Sequence, residues 1–156
     1  MNRVLVIGYG NTLRGDDAAG VLAARAVAAA HPSVRVLEAT ALLPEFAEEI
    51  ARAETVLFLD ADVRAGEARA TELQAGALPV REEAHAFTPE ALLALARTLY
   101  GSSPARTLLV GIPASSFELG EILSPQTRRG IEQAAAIVAG VIANAPLPLP
   151  PDTIVS

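Results

Sequence analysis

Two rhythms of apolar and polar positions alternate along the chain. Short continuous apolar runs, closed by glycine, proline or aspartate, have the length and β-branched content of buried strands. Between them lie longer stretches in which apolar residues return every three or four positions, the spacing of a helix with one buried face. Strands are predicted over 3–7, 34–39, 55–59, 68–73 and 105–112; "TVLFL" at 55–59 is closed by Asp60. The run 68–73 alternates instead, which places it nearer an edge. An Ala-rich helix is predicted over 17–30, with Asp17 at its start and Pro32 beyond its end. A second covers 44–53, with Pro44 in the first turn and Phe46 and Ile50 four apart. A third runs over 89–100, capped by Thr88 and opened by Pro89 and Glu90. The last opens at Ser124-Pro125 and repeats Ile131, Ala135, Val138 and Ile142 at helical spacing. Residues 80–88 read as loop, and "APLPLPPDTIVS" reads as an extended, Pro-rich end.

Strands that alternate with helices predict an α/β fold class. The expected architecture is a three-layer α/β/α, a twisted, mostly parallel five-stranded sheet with helices on both faces, phosphorylase/hydrolase-like. One domain is expected over 1–144, followed by a Pro-rich tail over 145–156. In such sheets ligands bind beyond the carboxyl ends of the strands. The places to look are therefore 8–17, the region of Thr40, 60–62, the loop around His85, and 113–123.

Composition narrows the chemistry. Hydrophobic residues are 51% of the 156, enough to fill a core. The absence of cysteine excludes disulfide frameworks, thiolate zinc sites and cysteine nucleophiles. A net charge of −6 and the lack of any basic cluster argue against nucleic acid. The N-terminal apolar run is too short for a signal or a span, and 134–145 reaches only about half a bilayer. The expectation is a cytoplasmic protein with no membrane partner.

The loop "GYGNTLRGDDAAG" follows the first strand. Gly8 and Gly10 match two glycines of a dinucleotide fingerprint, but Leu13 stands where the helix-packing glycine belongs. A pyrophosphate there would also meet Asp16 and Asp17. Those acids equally suit a helix dipole, and two adjacent ones point in different directions, so one is free to face the crevice. Asp60 is a carboxylate at the end of an apolar strand and wants a cation, a donor or a metal. Asp62 better fits the bland role of capping the turn that follows. Of the two histidines, His31 sits at a helix end, whereas His85 lies in a loop of the predicted crevice. Asp17, Asp60 and His85 make an O,O,N set suited to a divalent transition metal with open positions. Ser115-Ser116 is not in a nucleophile elbow, and no HExxH motif is present.

With these motifs the sequence resembles the hydrogenase maturation proteases, endopeptidases that trim the C-terminal extension of the nickel-iron hydrogenase large subunit. "VLVIGYGNTLRGDDAAG" is similar to the family's opening strand and Gly-x-Gly-Asn loop with its acidic pair. "VLFLDA", "HAFTPEALLAL" and "LLVGIPASSFELGEILSPQTRRGI" are similar to its later motifs, in the same order. The resemblance implies that Asp17, Asp60 and His85 are both the metal-facing and the catalytic residues. It places Gly10, Asn11 and Asp16 in a substrate-contacting loop. It also implies a cytoplasmic monomer whose partner is a nickel-iron hydrogenase large-subunit precursor. The nickel is carried by that precursor, as a recognition element that polarises the scissile carbonyl or activates water. The chain departs from the family after its second strand, reading "LEATALLPEFAE" where many members have a Gly-Gly-Thr type turn. A non-catalytic metal-binding chaperone or scaffold on the same fold is the alternative; a nucleotide-binding protein is disfavoured by the acidic pair.

Overall fold

The computed structural model describes residues 3–76 and 87–144. Its elements run β1 (Val4–Tyr9), a 3-10 turn (Gly15–Ala18), α1 (Ala19–Ala30), β2 (Arg35–Ala39), a 3-10 turn (Pro44–Phe46) and α2 (Ala47–Arg52). They continue as β3 (Thr55–Asp62), β4 (Arg69–Glu72), α3 (Pro89–Tyr100), β5 (Arg106–Pro113) and α4 (Pro125–Asn144). The strands form one sheet in the order β2-β1-β3-β5-β4. The first four are parallel to one another and β4 runs antiparallel on the outer edge of β5. This is the expected mostly parallel α/β sheet with helices on both faces.

Alternate residues of each strand feed opposite cores. Val6, Leu57, Leu59, Val110 and Ile112 pack beneath α1 and α4, against Ala23, Val27, Ala134 and Val138. Leu5, Ile7, Val56 and Phe58 pack beneath α2 and α3, against Ile50, Leu92 and Ala96. Continuous apolar strands are the consequence, because both faces are covered. No helix among the described residues is long and apolar enough to cross a membrane.

Some boundaries differ from expectation. The helix predicted from Asp17 begins at Ala19; a 3-10 turn entered through Gly15 at φ 55° carries Asp16 and Asp17 instead. The helix expected over 44–53 likewise opens with a 3-10 turn. β3 continues past Asp60 to Asp62, because β5 pairs with it as far as Pro113. Asp60 is therefore inside a strand, not at its end. The alternation expected of β4 is absent, and all four residues are exposed. Thr88 caps α3 as predicted, its hydroxyl accepting the Ala91 N–H at 3.1 Å. Much of the predicted loop 80–88, with His85, and the tail 145–156 lie outside the described residues.

The helix-packing glycine that Leu13 does not supply is present elsewhere. A Cβ on Gly20 would lie 2.2 Å from the Leu59 carbonyl oxygen, and one on Gly8 would lie 2.3 Å from that of Gly20. These two glycines let α1 descend onto β1 and β3, which sets where the 3-10 turn and its acids emerge. Gly20→Ala is expected to cost at least about 3 kcal/mol in urea unfolding, since backbone on two elements must move. Gly140→Ala, in α4 with open space around it, is expected to stabilise by about 0.5–1 kcal/mol through helix propensity.

Candidate functional site

A buried carboxylate joins the connections that follow β1 and β5. Asp16 is 0% exposed. Its Oδ2 accepts the backbone N–H of Ser115 at 2.8 Å and of Ser116 at 3.0 Å, and the Ser124 hydroxyl at 2.9 Å. Its Oδ1 accepts the Ser124 N–H at 2.8 Å. Backbone contacts close the seam: Gly15 N–H to the Gly120 carbonyl at 2.9 Å, Asp16 N–H to Ser116 at 2.8 Å, and Gly120 N–H to Leu13 at 2.8 Å. Burial alone would raise the Asp16 pKa, but the N–H groups of Ser115, Ser124 and Ser116 and the Ser124 hydroxyl outweigh it and hold the carboxyl well below the usual range. Asp16 thus makes no contact with solvent, and within the loop that carries it its carboxylate is an internal tie. Neither it nor Asp17 caps α1, whose N-cap carries no side-chain bond.

Asp17 is the outward member of the pair. It is half-buried, and its Oδ2 accepts the Asn11 N–H at 2.7 Å. Gly10 permits this approach: its φ is 146°, and a Cβ there would lie 2.0 Å from the Asp17 carbonyl oxygen. Asn11 shapes the turn with its own side chain, accepting the Leu13 N–H at 2.9 Å.

Asp60 reaches the same place from β3, on the α2/α3 side of the sheet. Burial pushes its pKa up to about 6; the Tyr9 hydroxyl and the Ala61 N–H oppose this, while the charges of Asp17 and Asp62 add to it. Tyr9, at the end of β1, is held protonated first by burial and then by the negative charge of Asp60 and the bond to it. Sequence reading missed Tyr9. Its signal was a hydrogen-bonding aromatic between two glycines, at the carboxyl end of a central strand. Asp62 accepts the Arg64 N–H at 2.9 Å, the turn-capping role expected of it. It also lies over Gly111, where a Cβ would come within 3.0 Å of its Oδ2.

The fold therefore brings Asp17 and Asp60 together, with Asp62 behind. The charges of Asp17 and Asp62 add to the raised proton affinity of Asp60, and a cation would relieve it. Among the described residues no three acidic or histidine side chains converge as a complete metal site, and His85 lies outside them. A cleft of about 140 Å³ adjoins the loop, bounded by Gly10, Thr12, Arg25, Glu38 and Thr40. The larger cleft, about 210 Å³ between Arg3, Arg35, Glu49 and Arg52, is at the opposite end of the sheet, and two of its arginines are engaged by Glu49 and Glu48.

This arrangement on a five-stranded, mostly parallel sheet is the fold of the hydrogenase maturation endopeptidases. The hydrogenase maturating endopeptidase HybD from E. coli superposes with a TM-score of 0.71 at 25% identity, over 90% of this chain and 92% of that one. The [NiFe] hydrogenase maturation protease HycI from Thermococcus kodakarensis gives 0.67 at 24% identity, over 92% and 94%. A hydrogenase 2 maturation peptidase from a Thaumarchaeota archaeon gives 0.63 at 23%, over 91% and 99%. No protein-family model and no curated protein matches the sequence.

The buried Asp16 and the half-buried Asp60 carry opposite pH signatures. Asp16, depressed when folded, stabilises the protein fully above the ordinary carboxylate value near pH ~4, and that contribution fades as pH falls below it. Asp16→Asn is expected to cost about 3 kcal/mol near neutrality, since an amide cannot receive five donors, and the gap to wild type should narrow in acid unfolding curves. Asp60, raised when folded, contributes stability that is present below about pH 4 and is lost as pH rises through about 6. Asp60→Asn is therefore expected to stabilise the protein by about 1–2 kcal/mol at about pH 7.5 and by less at about pH 5, in urea titrations at the two pH values.

Proposed function

We propose that this protein belongs to the hydrogenase maturation protease family and removes the C-terminal extension of a nickel-iron hydrogenase large-subunit precursor after nickel insertion. The observation that carries the reading is the placement of Asp17, in the turn after β1, and Asp60, near the end of β3, at one end of a sheet whose fold is shared over nine-tenths of the chain with a named maturation endopeptidase. Nickel is substrate-borne in this reading. Two carboxylates that repel one another, joined by His85, offer hard oxygen and imidazole donors to that ion. The ion in turn orients the scissile peptide and polarises its carbonyl.

The chain's own residues divide the remaining work. Asp17 is aimed by the Asn11 N–H and cannot swing away from the crevice. Asp60 presents the second carboxylate to the same ion from β3. The Tyr9 hydroxyl, beside Asp60, eases the cost of its charge. Asp16 holds the walls in place without touching substrate.

Incubating the purified protein with precursor, with and without inserted nickel, and weighing the precursor tests this directly. Wild type is expected to shorten only the nickel-loaded precursor. Asp17→Asn is expected to lower that rate at least about 100-fold with an unchanged thermal midpoint, because the amide oxygen still accepts the Asn11 N–H. Asp62→Ala is expected to cost less activity than Asp60→Ala. A tight complex with no mass loss in wild type would refute the peptidase and favour the metal-binding scaffold.

A further inference from the structure

Eight large hydrophobic side chains are exposed among the described residues, and their distribution is lopsided. Leu13, Leu43, Val63, Phe117, Leu119 and Ile122 sit on connections at the carboxyl ends of the strands. Leu99 and Tyr100, at the end of α3, occupy the other end. Single exposed hydrophobics are ordinary, but their concentration at one end marks an interaction face.

Four of the six belong to the pair of loops tied by Asp16: Leu13 is 59% exposed, Phe117 38%, Leu119 74% and Ile122 84%. These loops form one unit. Gly120 bonds to Leu13 and Gly15 bonds to Gly120, and a Cβ on Gly15 would come within 3.4 Å of the Ile122 carbonyl oxygen. A slack loop would turn such side chains inward; this one, fastened by a buried carboxylate, holds them in water. Glu118 and Glu121 stand exposed between them, and Arg14 is the only basic residue in 11–17 and 114–124. An apolar face with an acidic rim selects an apolar, basic partner. A second copy of this chain fits poorly, since a two-fold contact would set acidic rim against acidic rim.

We propose that the double loop is the docking surface for an apolar, positively charged segment of the polypeptide substrate, held beside the crevice by the Asp16 tie. The proposal rests on the peptidase reading and adds where, and by what chemistry, the substrate is grasped. The surface is continuous with the candidate site, because Asp16 and Asp17 are neighbours and Asn11, which holds Asp17, also turns the chain into Leu13.

The test uses the Leu119→Ser/Ile122→Ser double variant, whose side chains are mostly in water, with the nickel-loaded large-subunit precursor as probe. Binding and processing are measured together. Expected are a Kd and a KM raised at least about tenfold, with kcat and the thermal midpoint unchanged. Glu118→Lys/Glu121→Lys is expected to slow association at low salt and to match wild type at high salt. Asp17→Asn, in contrast to the double variant, is expected to lose kcat. A double variant with wild-type Kd and KM overturns the docking surface and leaves the peptidase standing. A wild-type protein that neither binds nor cuts the precursor overturns the peptidase reading and the occupant named here with it. A wild-type dimer in sedimentation that the double variant abolishes would instead give the face to a second copy.

Discussion

The charge of Asp16 organises the functional end of this molecule. A carboxylate removed from water survives only where donors replace the water, and here three backbone N–H groups and two serine hydroxyls do so. Those donors come from 115–124, about a hundred residues away in sequence. The same bonds therefore solvate a charge, close a loop and align the start of α4, where Ser124 also accepts the Thr127 N–H. Asp17 is placed by this tie, since the next residue of a short 3-10 turn has little freedom once Asp16 is fixed.

The crevice beside it follows the opposite rule. Asp60 is half-buried without enough donors to make its charge comfortable, and Asp17 and Asp62 add repulsion. Such a group is a local cost, tolerated where it is used. Two acids on neighbouring elements thus differ by solvation: Asp16 is fully satisfied by donors, and Asp60 is not. The acidic, apolar rim outside them extends the same logic, since exposed leucine and isoleucine on a rigid loop are also a cost in the absence of a partner.

Much of this was legible in the chain. Continuous apolar strands closed by glycine or aspartate announced a parallel sheet, and the carboxyl-end rule then pointed to Asp17 and Asp60 as acids in one crevice. Thr88 announced its cap, and Asp62 its turn. The misreadings share a cause. Asp17 looked like the first residue of a helix because local preference for an acid there is strong, yet the bonds of Asp16 to a distant loop hold that turn in 3-10 form. Asp60 looked like the end of a strand because "TVLFL" stops there, yet β5 supplies partners for two more residues. Leu13 looked like a lost glycine, yet Gly20 fills the packing role one turn and more along.

Composition and periodicity sufficed for the elements, their layering and the end of the sheet where chemistry gathers, because burial imposes a local pattern that any single strand or helix must carry. They could not tell Asp16 from Asp17. Side by side, the two acids have the same propensity, charge and neighbours in sequence. Which one is spent inside and which one faces out depends on donors contributed from across the fold, and those exist only once β1 and β5 have brought their loops together.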